Sequence, residues 1–554
     1  MCLEKQRDQT QIQSPVYFTC LINLLTTKDN MNLTLTLQNL FAKGFGLSMR
    51  NSILVHALKI NPLSRLMNQF LKFFLFVCII CGGYFSSIAS SEPTQKGDQT
   101  EQVLDDESSH HKGPAGWSVI PFAVLLLMIA TGPLFYEHFW HKNYPIVAII
   151  LAAIVVLYYL FSLHNQHSPV HALFEYFQFI ALLTGLFVAS GGIMIIVDKE
   201  AKPLTNVLIL AFGGVIANII GTTGASMLLI RPFIRLNRNR IKAYHIIFFI
   251  FIVSNIGGCL TPIGDPPLFL GFLKGVPFFW TFTHNLIPWG MALIVLLGIF
   301  YLFDRRNKSD FSYEEEQPDP TGQIGIRGSR NFFWLAVVVA SVFLDPNVFN
   351  WVPAIHYDGQ KFSYIREIIM LSAAFLSYRL ADKQALNGNE FSFEPIREVA
   401  FIFIGIFGTM MPALEMVSNY AQSPDGVQMI SHNTLYWGTG LLSGFLDNAP
   451  TYINFLTAAM ASTGADINNL SDVIGFANGQ FKDSILDLKA ISVAAVFFGA
   501  MTYIGNGPNF MVKSIAEQVG IKMPSFFGYI LRFSIPILVP LFIVVWLIFF
   551  AFQH

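Results

Sequence analysis

Charge is what this chain of 554 residues has least of. Asp, Glu, Lys and Arg together make up 12 %, about half the share usual in soluble proteins. At roughly 150 residues per domain the length would suggest three or four soluble domains, but so few charges cannot cover that much surface. The net charge of -1 supplies no basic field for nucleic acid. Cysteine is scarce as well. Cys2, Cys20, Cys78, Cys81 and Cys259 are the whole complement, and only Cys259 stands in the apolar body, so no disulfide framework exists. Cys78 and Cys81 have metal-like spacing, but they lie in an apolar run without a second pair, which argues against zinc. HExxH, GxSxG and Walker motifs are missing, as is a soluble signalling domain. Those absences speak against a membrane enzyme, a receptor, or a primary pump working without a separate ATPase subunit. No cofactor is expected.

What the chain has is apolar length. Hydrophobic residues reach 53 %, Phe alone occurs 54 times, and the mean hydropathy is +0.52. Such a chain needs a lipid bilayer around it. The N-terminal third is mostly outside this apolar body. Residues 1–66 are mixed and polar. Met67 then opens a new pattern, in which Lys72 precedes an apolar run from Phe73 to Phe85 and small residues Ser87-Ile88-Ala89 follow. This reads as a signal peptide over 67–90 with an internal start at Met67, in which case residues 1–66 would not be translated. The alternative is an uncleaved first transmembrane helix. Either leaves residue 91 outside the cytoplasm. Residues 91–116 hold Glu92, Asp98, Glu101, Asp105, Asp106 and Glu107 against Lys96 and Lys112, the composition of an acidic disordered linker. His110-His111 within it reads as a solvated pair.

A membrane-spanning helix needs about 20 mainly apolar residues. Ten stretches qualify: roughly 117–135, 144–163, 175–197, 243–275, 284–303, 331–352, 364–381, 396–417, 485–520 and 524–552. Two of them, 243–275 and 485–520, are too long for one span and are interrupted by Gly, Pro and Asn. Segments 204–235 and 432–463 are apolar but broken midway by polar residues. Loop 231–242 carries Arg231, Arg235, Arg238, Arg240 and Lys242. Loop 304–330 carries Arg305, Arg306, Lys308, Arg327 and Arg330, and Lys383 and Arg397 follow residue 381. By the positive-inside rule all three loops are cytoplasmic. From an outside start, the count puts them there only if 204–235 enters and leaves from the cytoplasm and 432–463 enters and leaves from outside. Both are therefore re-entrant hairpins, tolerated only where protein or a water-filled cavity surrounds them.

An internal repeat supports this count. Leu260-Thr261-Pro262-Ile263-Gly264-Asp265-Pro266-Pro267-Leu268-Phe269-Leu270 aligns with Met501-Thr502-Tyr503-Ile504-Gly505-Asn506-Gly507-Pro508-Asn509-Phe510-Met511, with identity at five of eleven positions. Each copy interrupts an over-long span and follows a hairpin. The expected fold is an all-α polytopic membrane protein of about ten transmembrane helices in two inverted repeats, 117–303 and 331–554, joined by a cytoplasmic linker over 304–330. Each repeat holds three helices, a re-entrant hairpin, a broken helix and a final helix. Five spans per half invert the second copy. Inverted repeats with discontinuous helices mark a secondary transporter with its site at the breaks.

Unwound helix in lipid frees backbone groups. Its carbonyls suit a hard cation such as sodium, and half-helix N-termini suit an anion. The side chains lean toward the cation. Asp265 and Asp447 are the two carboxylates in the breaks, and an intramembrane carboxylate is a functional hypothesis by default. Around them stand Asn218, Thr222, Thr223, Asn255, Thr261, Asn448, Thr451, Thr502, Asn506 and Asn509, with no Arg or Lys in the two core motifs. Sodium at Asp265 and Asp447, competing there with protons, is the minimal device for antiport. Both carboxylates are equally placed to act as helix N-caps, and about half of the Asn and Thr side chains are expected only to satisfy freed backbone. Elsewhere, Glu175 and Asp198 read as interfacial and Asp345 as a helix terminator. Glu415 is a candidate proton-pathway residue, and Lys482, Asp483 and Asp487 are expected to pair.

Several of these segments also resemble a known family. Asn218-Ile219-Ile220-Gly221-Thr222-Thr223-Gly224-Ala225-Ser226-Met227-Leu228-Leu229-Ile230-Arg231-Pro232 resembles the first hairpin of NhaD-type sodium/proton antiporters. Ser254-Asn255-Ile256-Gly257-Gly258 and the run Thr261 to Pro267 are similar to their first broken helix, and Leu446-Asp447-Asn448-Ala449-Pro450-Thr451 to their second hairpin. The motifs are shared across a larger ion-transporter superfamily that includes arsenite pumps and citrate and dicarboxylate carriers. The resemblance covers about 117–552. It implies a homodimer in the bacterial inner (plasma) membrane, a scaffold domain, and a mobile transport domain that carries sodium or lithium against protons by an elevator motion. Gly224 departs from the Ala expected in the antiporters. The carboxylate carriers typically place Ser-Asn-Thr motifs at the hairpin tips, where this chain has Ile-Gly-Thr-Thr and Asp-Asn-Ala-Pro-Thr. Since Asp447 would repel a carboxylate, a sodium-coupled citrate-type carrier is the second reading.

Overall fold

The computed structural model describes residues 113–553, apart from 198–200, 308–323, 345, 347–348, 350 and 358–359. The extension, the 67–90 segment, nearly all of the acidic linker, most of the 304–330 linker, Asp198 and Asp345 lie outside the described residues. Nine helices among the described residues are long and apolar enough to cross a membrane. Each half of the chain presents the same order of elements. The first has helices α1 (Ile120–Phe135), α2 (Glu137–Leu157) and α3 (His167–Gly191), the long α4 (Pro203–Leu236), the pair α5 (Ala243–Ile252) and α6 (Pro266–Lys274), and α7 (Trp280–Arg305). The second has α8 (Arg330–Val342), α9 (Ile365–Arg379), α10 (Glu394–Ala421), the pair α11 (His432–Phe445) and α12 (Asn448–Ser462), the pair α13 (Ser484–Phe498) and α14 (Gly507–Gln518), and α15 (Phe526–Phe549).

By length α4 would cross a membrane, but its ends show that it turns back. The amides of Asn206 and Asn237 bond each other in both directions, at 2.7 and 2.8 Å. In a straight helix those residues would be about 45 Å apart. The reversal falls at Gly221, whose φ of 78° and ψ of 154° interrupt the helical backbone. Only glycine adopts that region without a large steric cost. Gly213 and Leu229, equidistant from Gly221, pack together across the hairpin. The second hairpin turns at Leu446 and Asp447, both extended, and there Gly438 faces the Phe455 ring.

Contacts between helix ends agree with the topology read from charge. Arg240, in the first basic loop, pairs with Asp304 at the end of α7 at 2.7 Å. Asn389 donates to the carbonyls of Gly191 and Ile193, and strand β1 (Met194–Val197) pairs antiparallel with β2 (Ile324–Arg327). At the opposite end Trp280 Nε1 donates to Ala477 O at 2.7 Å, and Lys274 pairs with Glu175.

Two spans are shorter than expected. The 331–352 stretch is helical only to Val342, and α9 has 15 residues. Pro346 and Pro353 lack the amide a continuing helix needs. The chain instead makes a second ribbon of β3 (Ala354–Tyr357) and β4 (Gln360–Ser363). These two-stranded ribbons are small departures from an all-α reading. The broken helices form the centre, and every residue of α5 from Ile246 to Ile252 is fully buried. The outer helices keep apolar side chains such as Phe161, Ile287 and Ile294 at least 70 % exposed, a face that lipid solvates.

Candidate functional site

The two breaks use the same local device. Thr261 Oγ1 donates to the Asn218 carbonyl in the first hairpin at 2.5 Å and accepts from the Gly264 amide at 3.1 Å. Thr502 Oγ1 donates to the Gly444 carbonyl in the second hairpin at 2.7 Å and accepts from the Gly505 amide at 3.1 Å. Each threonine thus fastens its break to the neighbouring hairpin and satisfies groups that unwinding freed. Asn218 completes the first fastening by accepting from the Leu260 amide through Oδ1.

Asp265 and Asn506 then occupy equivalent positions, each preceding the second half of a broken helix. Asp265 is 1 % exposed. Its side chain makes no cap hydrogen bond to its own helix, so the capping role considered for it is not the one it has. Instead Oδ1 accepts from Thr222 Oγ1 and from Asn506 Nδ2, both at 2.9 Å, and Oδ2 accepts from Asn448 Nδ2 at 2.7 Å. The donors come from the first hairpin, the second broken helix and the tip of the second hairpin. All four discontinuous elements therefore meet at one carboxylate, and its side-chain partners are all neutral.

Asn255 and Asn509 extend the cluster. Asn255 Nδ2 donates to Asn509 Oδ1 at 2.7 Å, and Asn509 Nδ2 donates to the carbonyls of Gly499 and Thr502. The Oδ1 atoms of Asn255 and Asn448 are buried without a protein partner among the described residues. Both side chains border Gly499, where a Cβ would stand 3.0 Å from Asn255 Oδ1 and 3.4 Å from Asn448 Nδ2. A buried carboxylate beside two free amide oxygens is a donor set for a hard, oxygen-seeking cation.

The remaining expected site residues divide. Asp447 is half-buried and caps α12 through the Ala449 amide at 3.1 Å, as a capping residue does. Thr451 bonds the Asp447 carbonyl within its own helix, and Thr223 makes no side-chain hydrogen bond among the described residues, where its neighbour Thr222 does. Glu175 is 7 % exposed and pairs with Lys274 at 2.7 Å, because α3 and α6 pack side by side there. No ion pair joins Lys482, Asp483 and Asp487 among the described residues, and Asp487 Oδ1 is buried without a partner. Glu415 accepts from Tyr159 at 3.3 Å.

Sequence reasoning passed over Ser254, whose carbonyl accepts from Asn506 Nδ2 and whose hydroxyl meets that of Ser226. Its place immediately before Asn255, ahead of a break, was the available signal. It also passed over Gly499, because glycine in an apolar helix reads as packing until its neighbours are known.

Hairpins and broken helices converging on a buried polar centre define a membrane transporter. Residues 111–550 match the model of the family described as "Putative citrate transport" (CitMHS_2), and the chain belongs to that family. It is also similar to the "46 kDa membrane protein" of Mycobacterium leprae (strain TN), 22 % identical over 408 residues, which cover 72 % of this chain and 84 % of that protein.

Proposed function

We propose that the protein is a secondary transporter that exchanges sodium or lithium for protons at Asp265. One observation carries this reading. A buried carboxylate is held by three neutral donors, with no Arg or Lys among its hydrogen-bond partners. A site built for citrate would need compensation for several negative charges. Here the fixed carboxylate and the free Oδ1 atoms of Asn255 and Asn448 favour a cation. A proton and a sodium ion cannot both neutralise Asp265, so binding one releases the other. Asp447, one residue from Asn448, adds negative charge beside the site. In this proposal the hairpins and broken helices move together against the remaining helices, in an elevator-type motion, within a homodimer in a bacterial inner membrane.

The family description favours a second reading, a sodium-coupled citrate-type carrier, in which the same centre holds the coupling sodium. Purified protein in proteoliposomes with an internal pH dye separates the two. Proton flux on adding sodium or lithium, and none with potassium or citrate, is the expected result. Silence with the cations, together with sodium-dependent uptake of labelled citrate, would replace antiport with the carrier reading.

A further inference from the structure

Outward of Asp265, three buried hydroxyls stand on three helices that pack against one another. Thr439 (α11), Tyr452 (α12) and Ser492 (α13) are each fully buried, and none of their hydroxyl oxygens has a hydrogen-bond partner among the described residues. Ser492 Oγ stands close enough to Tyr452 OH to interact, but not in hydrogen-bond geometry. Ser443 Oγ donates to the Ala495 carbonyl at 2.6 Å, which sets the register of α11 against α13. Thr439 is one turn before Ser443 and Ser492 nearly one turn before Ala495, so the two hydroxyls share a level. The Tyr452 hydroxyl packs on Gly271 of α6, where any Cβ would overlap it.

This group is linked to the site. Asn448 and Tyr452 are four residues apart on α12 and so share a face. Asn448 places Nδ2 on Asp265 and leaves Oδ1 free. Toward the outer end of α13, two turns before Ser492, stands Ser484. Its Oγ is also unpartnered, and the residue lines a surface cavity of about 430 Å³ together with Asp483, His284 and Lys489. A buried hydroxyl left without a partner is unfavourable. Three such groups on packed helices, two of them at one level, match the two to four polar contacts that hold an internal water. By contrast Tyr436 and Tyr529, equally buried, donate to the Phe542 and Ala500 carbonyls.

We propose that Thr439, Tyr452 and Ser492 hold ordered water one turn outward of Asp265, and that this water relays the proton Asp265 exchanges with the outer face. The relay half rests on the cation/proton reading; the water site does not. Each hop breaks one O–H bond and forms another, from the Asp265 carboxyl through water and the Tyr452 hydroxyl toward Ser484, with no change of oxidation state.

Radiolytic hydroxyl-radical footprinting of the full chain in nanodiscs tests the water, because radicals form at bound water. Tyr452 is expected to be oxidised several-fold faster than Tyr436 and Tyr529. A Tyr452 as silent as those two would overturn the site. Tyr452→Phe keeps the ring and removes only the hydroxyl. In proteoliposomes it is expected to slow proton flux about tenfold while leaving the half-saturating sodium concentration unchanged. Undiminished flux would overturn the relay. If the unmodified protein shows no cation-driven proton flux, the cation/proton reading fails and the relay with it, while the footprint still decides the water site.

Discussion

Asn448 Nδ2 lies 2.7 Å from Asp265 Oδ2, although 183 residues separate the two in sequence. This bond joins the tip of the second hairpin to the break of the first repeat. In the proposed exchange, a proton or a cation arriving at the carboxylate would compete with this bond for Oδ2, and so reach both repeats.

Replacing Asp265 by Asn removes the carboxylate to which all four discontinuous elements contribute. Cation-driven proton flux is expected to disappear while the protein still folds, since Asn retains the shape. Asp447→Asn should act differently. Asn caps helices as well as Asp, so stability is retained, and the loss of one charge near the site is expected to weaken cation affinity about tenfold. Equal and full flux from both variants would disprove the site.

Proton competition has a definite sign. In the proposed exchange, Asp265 takes up a proton as pH falls and sodium must displace it. The half-saturating sodium concentration is therefore expected to rise on acidification, up to about tenfold per pH unit where one proton is released per cation. Flux measured across a pH series at several sodium concentrations checks this, and a pH-independent half-saturation would contradict it.

Thr222→Val keeps the volume and deletes one donor to Asp265. A hydrogen bond to a charged group contributes about 1.5–3 kcal/mol, so the ionised form that binds the cation is disfavoured. Flux at neutral pH should fall by one to two orders of magnitude and recover partly at higher pH. A uniform loss at every pH would point to damage of the fold instead.

Thr502→Val addresses fastening rather than binding. The Thr502 hydroxyl holds the Gly444 carbonyl and the Gly505 amide, and neither touches the carboxylate of Asp265. The variant is expected to lose about 1–3 kcal/mol of stability, read as a lower melting temperature, with cation selectivity unchanged.

At the opposite end of the first repeat, Asp304 is fully buried. It accepts from Arg240, Tyr244 and Asn206 and meets His245 Nε2 at 3.0 Å. It ties the base of the first hairpin to both its neighbours. Asp304→Asn leaves Arg240 without its counter-charge, at an expected cost of about 3–5 kcal/mol. Thermal unfolding in detergent measures this directly.

Much of this protein was legible without coordinates. Apolar length against scarce charge implied the membrane, and basic loops set the topology. The paired motifs around Thr261 and Thr502 located the breaks. These are local properties, since a span must be about 20 residues long and an interruption needs Gly, Pro or a polar side chain wherever it occurs. The hairpins were legible for a related reason, because only a reversal within 204–235 and another within 432–463 keeps the basic loops on one side.

What the linear chain left open was which polar group does what. Asp265 and Asp447 sit in similar company in the sequence, yet one gathers three donors from distant elements and the other caps its own helix. Thr222 and Thr223 are adjacent, and only Thr222 reaches the carboxylate. Glu175 finds Lys274 across two packed helices. The reason is geometric. A helix turns each successive side chain by about 100°, so which residue faces the centre depends on how the helix is rotated against its neighbours. Packing of all four discontinuous elements decides that rotation, and no segment read alone contains it.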